Sequence, residues 1–398
     1  MNYEIHIKAV GDICPGDSFI EGLGILSKIR KNGYFYPFEK IISSLKDKDI
    51  LIGNLEGSLS RLCYDKPLNM CGPAEFAYAL KKAGFDVISI ANNHVFDNGV
   101  EIFFETVKYL KRAGVKVCGL RARKNFFCKP VIIHKKMLKI GILAYNWVGL
   151  ETMRNISNYI AVVSDGIVNY TWFRNKQKNW ELRLQLQERN KNVISDIRKL
   201  KKEVDVLILI AHWGYEWTIY PPYGVILEAR HFIREGADII IGSHPHVPQG
   251  IENFNNKIIA YSLGNFIFDS PFFKSRFGII LDCFISKKLD LYEFKYSITE
   301  INKEFQPELG ITQHNRIIKN WIRHSTHVIR SKKASCVLDD EKIYKRYEKE
   351  YNILKIKKVI LLSFLVLKYP KLIKAILKKI NNLYNIIKLR IKGIKIRW

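Results

Sequence analysis

The strongest constraint on this chain is an order repeated over its first 300 residues: short apolar runs end in polar clusters and give way to helical patterns. Ile5–Val10 reads as a strand, Pro37–Leu45 as a helix and Asp49–Asn54 as a strand. Pro73–Ala83 follows as a helix, Asp86–Ala91 as a strand, Val100–Arg112 as a helix and Val115–Cys118 as a strand. Strands that alternate with helices need crossovers, so the order predicts an α/β fold with a mostly parallel sheet covered by helices. Lys139–Trp147, Val204–Ala211, Asp238–Ile241 and Lys257–Leu263 read as further strands. Gln177–Glu203 and Tyr223–Glu235 read as helices. Arg276–Ile285 and Leu289–Thr299 predict an antiparallel closing pair. The stretch 148–176, rich in Asn, Ser and aromatics, lacks a period and reads as an insertion or lid. From about 304 the strand signal stops and a basic helical region follows, dividing the chain into 1–303 and 304–398.

The polar clusters carry the chemistry. Gly11-Asp12-Ile13-Cys14 follows the first strand, Asn54-Leu55-Glu56-Gly57 the second, and Asn92-Asn93-His94 with Asp97 the third. His212-Trp213-Gly214-Tyr215-Glu216 and Gly242-Ser243-His244-Pro245-His246 follow two more. Ligands of open α/β sheets bind outside the carboxyl ends of the strands, so five such ends converge on one place. Carboxylate, amide and imidazole donors suit Mn, Zn or Fe better than a thiolate-seeking metal, and one or two divalent ions are expected. Asp12, Glu56, Asn93, His212, His244 and His246 form the expected ligand set, with Glu56 as the bridging carboxylate. His244 and His246, two apart on an extended segment, are expected to point the same way. The alternative for Asp12 is a helix cap. Asn265, in Tyr261–Phe266, is expected near the site, whereas His6, His134 and His231 stand alone and read as structural.

Other chemistries lack their signatures. Gly22-Leu23-Gly24 has no third glycine and follows no strand, and neither a P-loop nor a GxSxG elbow occurs. The seven cysteines are odd in number and form no CxxC pair, which argues against a disulfide framework or a cysteine zinc site and for a reducing compartment. The N-terminus alternates like a strand and has no apolar signal region. The longest apolar stretch, Val359–Leu367, falls well short of the roughly 20 residues of a spanning helix. A cytoplasmic protein is expected.

The set GDICPGD (11–17), NLEG (54–57), ANNHVFDNG (91–99), HWGYEW (212–217), GSHPHVPQG (242–250) and YSLGNFIFD (261–269) resembles the bacterial CapA family of capsule or poly-gamma-glutamate synthesis proteins, over roughly residues 3–300. The resemblance implies a calcineurin-like metallophosphoesterase fold, a four-layer αββα sandwich, and a link to capsule or exopolymer production. It also implies that Asp12 opens the first metal motif and that Glu56, beside Asn54, takes the bridging position. Asn93 and His94 then resemble a pair supplying a metal ligand and a general acid, with Asp97 orienting His94. His212, His244 and His246 match the remaining ligand histidines. The His expected two residues after Asp12 is Cys14 here, which points to a mononuclear site or a differently ligated second ion. Cys14, Asn54, Glu216 and Asn265 are expected beside the ligands.

The formal net charge is +27, and residues 351–398 hold 13 Lys/Arg and no acid. After Pro370 an apolar helical stripe edged with cations suits either an anionic membrane surface on the cytoplasmic face or packing on the protein's own core. The reading is a metal-dependent phosphoesterase-like hydrolase of capsule or exopolymer biosynthesis, working with that machinery. The alternative is a non-catalytic, membrane-associated assembly factor. A nucleic-acid phosphodiesterase ranks last, because no nucleic-acid module is recognisable.

Overall fold

The computed structural model describes residues 3–17, 24–62, 70–148, 159–163 and 190–331, except 123, 271, 287, 290, 291 and 311, together with 345, 349, 352 and 353. Two sheets form its body. The first runs β16 (Pro307–Leu309), β15 (Tyr292–Ile301), β14 (Phe277–Ser286), β1 (Tyr3–Ile13), β2 (Ile50–Leu55), β5 (Val87–Ser89) and β6 (Lys116–Cys118), with β13 (Asn265–Ile267) also paired to β1. The second runs β11 (Ile251–Phe254), β12 (Lys257–Ala260), β10 (Ile239–Ser243), β9 (Val206–His212), β8 (Leu138–Asn146) and β7 (Val131–Lys135). A small ribbon pairs β3 (Ser58–Leu59) with β4 (Cys71–Gly72).

Three apolar layers explain the stacking. Ile5, Ile7, Ile52, Ile142, Ile208, Ile241 and Leu281 fill the space between the sheets. On the outer face of the first sheet lie α1 (Ile25–Asn32), α2 (Phe76–Lys82) and α3 (Val100–Arg112), which bury Ile29, Leu80, Phe103 and Leu110. On the outer face of the second lie α4 (Lys191–Lys201) and α5 (Tyr223–Glu235), which bury Ile197, Leu200, Ile226 and Phe232. The result is the expected αββα sandwich. Strands β2, β9 and β10 are buried along their whole length, as strands covered on both faces must be. A sixth helix, α6 (Thr312–Arg330), buries Ile318 and Ile322 against the inter-sheet core.

Several expectations change. Pro37–Leu45 is not one helix but two 3₁₀ turns, Tyr36–Phe38 and Ile42–Leu45. The short turns let Phe38, Ile41 and Leu45 all reach the core, where Ser43-Ser44 adds little helix propensity. Strand structure does not stop at 303, because β16 pairs with β15. Within 148–176, Ile160, Ala161, Val162 and Val163 are buried in the two outer cores, and residues 149–158 and 164–176 lie outside the described residues. The apolar stripe after Pro370 lies outside them too. The cysteine reading is corrected at one position: Cys71 is disulfide-bonded, whereas Cys14, Cys118, Cys128 and Cys283 are free and buried. An odd number of cysteines with no CxxC pair carries no signal for this bond. Among the described residues, no helix is long and apolar enough to cross a membrane.

Candidate metal centre

Strand register sets the site. Parallel pairing places Asp12 beside both Asn54 and Asn265, and Asn54 beside Ser89, in a row across the first sheet. In the second sheet Ser243 lies beside His212. Both rows sit at carboxyl ends, so the two sheets deliver their polar residues to one edge of the sandwich. Close backbone approach makes this feasible at two glycines. A Cβ on Gly11 would lie 1.9 Å from the Gly264 carbonyl oxygen, and one on Gly242 would lie 2.0 Å from that of Tyr261. Neither position has room for a side chain, and Asp12 N–H donates to the Gly264 carbonyl at 2.9 Å.

Glu56 is the centre of the cluster. It is fully buried, and neither carboxylate oxygen has a hydrogen-bond partner. Its Oε1 lies 3.6 Å from His246 Nε2, 3.7 Å from His212 Nε2 and 4.0 Å from His94 Nε2. Donor atoms of Glu56, His244 and His246 all fall within 4.8 Å of one another, and His244 Nδ1 is likewise buried without a partner. A buried carboxylate with two unbonded oxygens is costly in a folded chain unless something else satisfies it. Anionic and imidazole donors that face one another fit a divalent cation.

The remaining residues hold these donors in place. Asn54 Nδ2 donates to Asp12 Oδ1 at 2.8 Å, and the His244 backbone N–H donates to Asp12 Oδ2 at 3.2 Å. His246 Nδ1 sits 2.9 Å from Asn265 Oδ1, an acceptor, which leaves Nε2 turned to Glu56. His212 contacts Asn93 Oδ1 through Nε2 at 2.7 Å and Ser243 Oγ through Nδ1 at 2.9 Å. His94 Nδ1 lies 2.7 Å from Asp97 Oδ2, and its side chain, 28% exposed, stands at the rim. Glu216 is half-buried and close enough to act electrostatically on Glu56 and His94. Cys14 is buried, with its Sγ turned to the Gly16 carbonyl.

Electrostatics follow from burial. Burial, then the Asp12 charge, then Glu216, hold the Glu56 carboxyl well above the usual carboxylate range. Burial also raises Asp12, against the pull of His246. Burial and neighbouring imidazoles push His212 and His244 well down, and burial lowers His246 despite Asp12. His94 moves the other way: burial pulls it down, but the hydrogen bond and charge of Asp97, with the charges of Glu216 and Asp12, raise it. The imidazoles at the centre of the cluster are therefore shifted toward the neutral form and His94, at its edge, toward the protonated one.

Two features escaped the sequence reading. His244 and His246 do not lie on an extended segment: both have left-handed φ angles, +92° and +55°, within a bend around Pro245. Such conformations cost about 1–3 kcal/mol each and cluster at functional sites. Asn92 and Ser243 also hold the cluster together, and neither is among the expected site residues. Asn92 Nδ2 donates to the Leu55 carbonyl at 2.7 Å, and its Oδ1 accepts the His94 N–H at 3.2 Å, tying two strand ends together. Their position inside the polar clusters was the available signal.

The bacterial capsule synthesis protein model PGA_cap matches residues 6–270, which takes in every residue of the cluster. The chain belongs to that family. PGA_cap relatives include the capsule biosynthesis protein CapA of Bacillus anthracis, 28% identical over 281 residues. That match covers 69% of this chain and 62% of the relative, so the chain spans less than two thirds of its length. The PGA biosynthesis protein CapA of Bacillus subtilis (strain 168) is 27% identical over 286 residues, covering 70% of this chain and 67% of that one. Among solved structures, a hypothetical protein from Thermus thermophilus aligns with 74% of this chain and 99% of its own at 12% identity. Its TM-score is 0.38, too low to carry an inference. Helix α6 lies beyond the PGA_cap match.

Proposed function

We propose that the chain is a metal-dependent hydrolase of phosphoester or related bonds that serves capsule or poly-gamma-glutamate-type exopolymer synthesis. The observation that carries this is Glu56, buried with two unpartnered oxygens and facing three imidazoles. Glu56, His244 and His246 would hold one divalent ion, with Asp12, His212 and Asn93 beside them for a second. Mn, Zn or Fe suits this donor set. A bound divalent ion supplies Lewis-acid polarisation of the scissile bond and activation of water. The residues do the rest. His246 is turned by Asn265 and His212 by Ser243, so each keeps a fixed ring face toward Glu56. His94, whose affinity for a proton Asp97 raises, stands at the rim, positioned as a general acid toward a departing oxygen. The relatives' names supply the capsule and PGA setting.

His94→Ala is expected to lower turnover about 10²–10⁴-fold, the usual worth of a general acid, without loss of bound metal. Kinetics on a panel of phosphoesters with parallel metal analysis check this, and full turnover in the metal-loaded variant would assign His94 to structure. No hydrolysis of any substrate by metal-loaded wild type would favour the second reading, an assembly factor that keeps the centre for stability.

Peripheral attachment through residues 351–398 belongs to the same proposal. Each Lys or Arg near an anionic bilayer contributes about 1 kcal/mol. Full-length protein is expected to sediment with anionic vesicles and a chain ending at Tyr351 to stay in solution, folded. Unfolding of the shortened chain would make the tail part of the core. The Cys71 disulfide favours an oxidising compartment over the cytoplasmic face expected from sequence, since disulfides persist in oxidising surroundings.

A further inference from the structure

We propose that the outer face of α6, with the cavity at its base, is a binding site for a linear polycarboxylate. Arg316, Lys319, Arg323, His327 and Arg330 are all exposed. At 3.6 residues per turn they fall within an arc of about 80°, and at 1.5 Å per residue they form a row about 21 Å long with steps of roughly 4.5–6 Å. The helix contains no Asp or Glu. Among the described residues its one ion pair is His314 with Glu300, which leaves the five residues of the row without an acid.

Such a row works against the helix that carries it. Arg316, Lys319 and Arg323 are like charges three and four residues apart, an arrangement that destabilises a helix, and steps this short lie inside a Debye length of about 8 Å. An ordinary solvated face would intersperse acids. A cavity of about 400 Å³ opens under the row, floored by Ile251 of β11 and by Phe294 and Tyr296 of β15, and rimmed by Arg323, His327 and Arg330. That volume falls in the usual range of ligand sites, about 300–1,000 Å³. A cationic rim above an apolar, concave floor suits a chain with a hydrocarbon backbone and regularly spaced anions. A flat bilayer could not reach the floor.

The row is also tied to the metal centre. The Gly250 N–H donates to Ser325 Oγ at 3.1 Å, and the Ile251 N–H donates to Thr326 Oγ1 at 3.0 Å. Gly250 lies four positions after His246, so this anchor lies no more than about 14 Å of chain from a candidate ligand. On the other side His324 packs its ring 5.9 Å from that of Tyr220. Tyr220 lies in the loop that follows His212, and the Trp217 N–H in that loop donates to the Pro245 carbonyl at 2.7 Å. A polymer lying along α6 would approach the metal centre along these two connections. The choice of a carboxylate chain rests on the capsule-polymer reading above; the row and cavity do not depend on it.

The test is arginine footprinting of the full chain with phenylglyoxal, in the presence of poly-gamma-glutamic acid of fixed length at physiological salt. Arg323 and Arg330 are expected to be protected at least fivefold relative to Arg112, which is exposed on α3. A variant carrying Arg323→Glu and Arg330→Glu, its folding verified by circular dichroism, is expected to lose at least tenfold in affinity. Polymer binding with protection confined to residues beyond 351 and unchanged affinity of the variant would overturn the site but leave the capsule-polymer reading standing. No binding of the polymer would sink both. Equal protection by a single-stranded oligonucleotide of matched charge, or by anionic vesicles, would overturn the assignment to a polycarboxylate.

Discussion

Replacing His244 and His246 together by Ala is expected to abolish the stabilisation that divalent metal gives the folded chain. Ligands that bind only the native state raise its stability by about 2.7 kcal/mol at a concentration 100 times Kd. The double variant loses two of the three donors that meet within 4.8 Å, and leaves Glu56 with only the more distant His212 and His94. Loss of an outer-shell partner alone commonly costs about 10–100-fold in metal affinity, and two ligands should cost more. The metal-free variant should stay close to the metal-free wild type in stability, because both positions keep left-handed backbone whichever side chain they carry. Thermal unfolding with and without Mn²⁺, Zn²⁺ or Fe²⁺ reads the effect. A metal-induced rise in Tm that survives in the variant would move the site elsewhere.

Glu56→Leu is expected to stabilise the metal-free protein while destroying metal binding. The Glu56 carboxyl is buried, unbonded and held above the usual carboxylate range by burial, then by Asp12 and Glu216. At low pH the proton is bound in both folded and unfolded chains, and the raised value costs nothing. Once pH passes the ordinary value near 4.3, the unfolded chain ionises freely but the folded one keeps its proton, so metal-free stability falls with rising pH until the folded group also ionises. Leu removes that penalty; replacing even a buried, paired charge set by apolar side chains is often neutral or stabilising by about 1–4 kcal/mol. In wild type the same proton must leave for metal to enter, so metal binding should tighten with pH and release protons. Denaturant unfolding of metal-free protein at pH 5 and pH 8, with calorimetry in buffers of different ionisation heat, checks both signs. A variant less stable than wild type at both pH values would give Glu56 a structural role.

The sandwich was legible because period and length marked its long elements. Val100–Arg112 and Tyr223–Glu235 are helices over the expected spans, and β14 and β15 form the expected antiparallel pair. Elements of two or three residues, such as β3, β4, β13 and β16, carry no periodicity and are set by tertiary pairing. The polar clusters were legible because Asp, Glu, Asn and His ended runs that packing alone would have kept apolar. What the sequence could not convey was backbone conformation. An extended reading of His244-Pro245-His246 is the natural one, since residues before proline favour extended φ, ψ angles, and only the enclosing sheet ends impose the bend. The Asn92 bonds that join two strand ends likewise depend on chain segments meeting in space.

The most direct measurement is elemental analysis of the full-length chain, reconstituted separately with Mn²⁺, Zn²⁺ and Fe²⁺ and freed of excess ion. At least one divalent ion per chain is predicted for one of these metals, and none for the His244, His246 double variant. A folded wild-type chain that retains no metal under any of the three conditions would contradict the account at its centre.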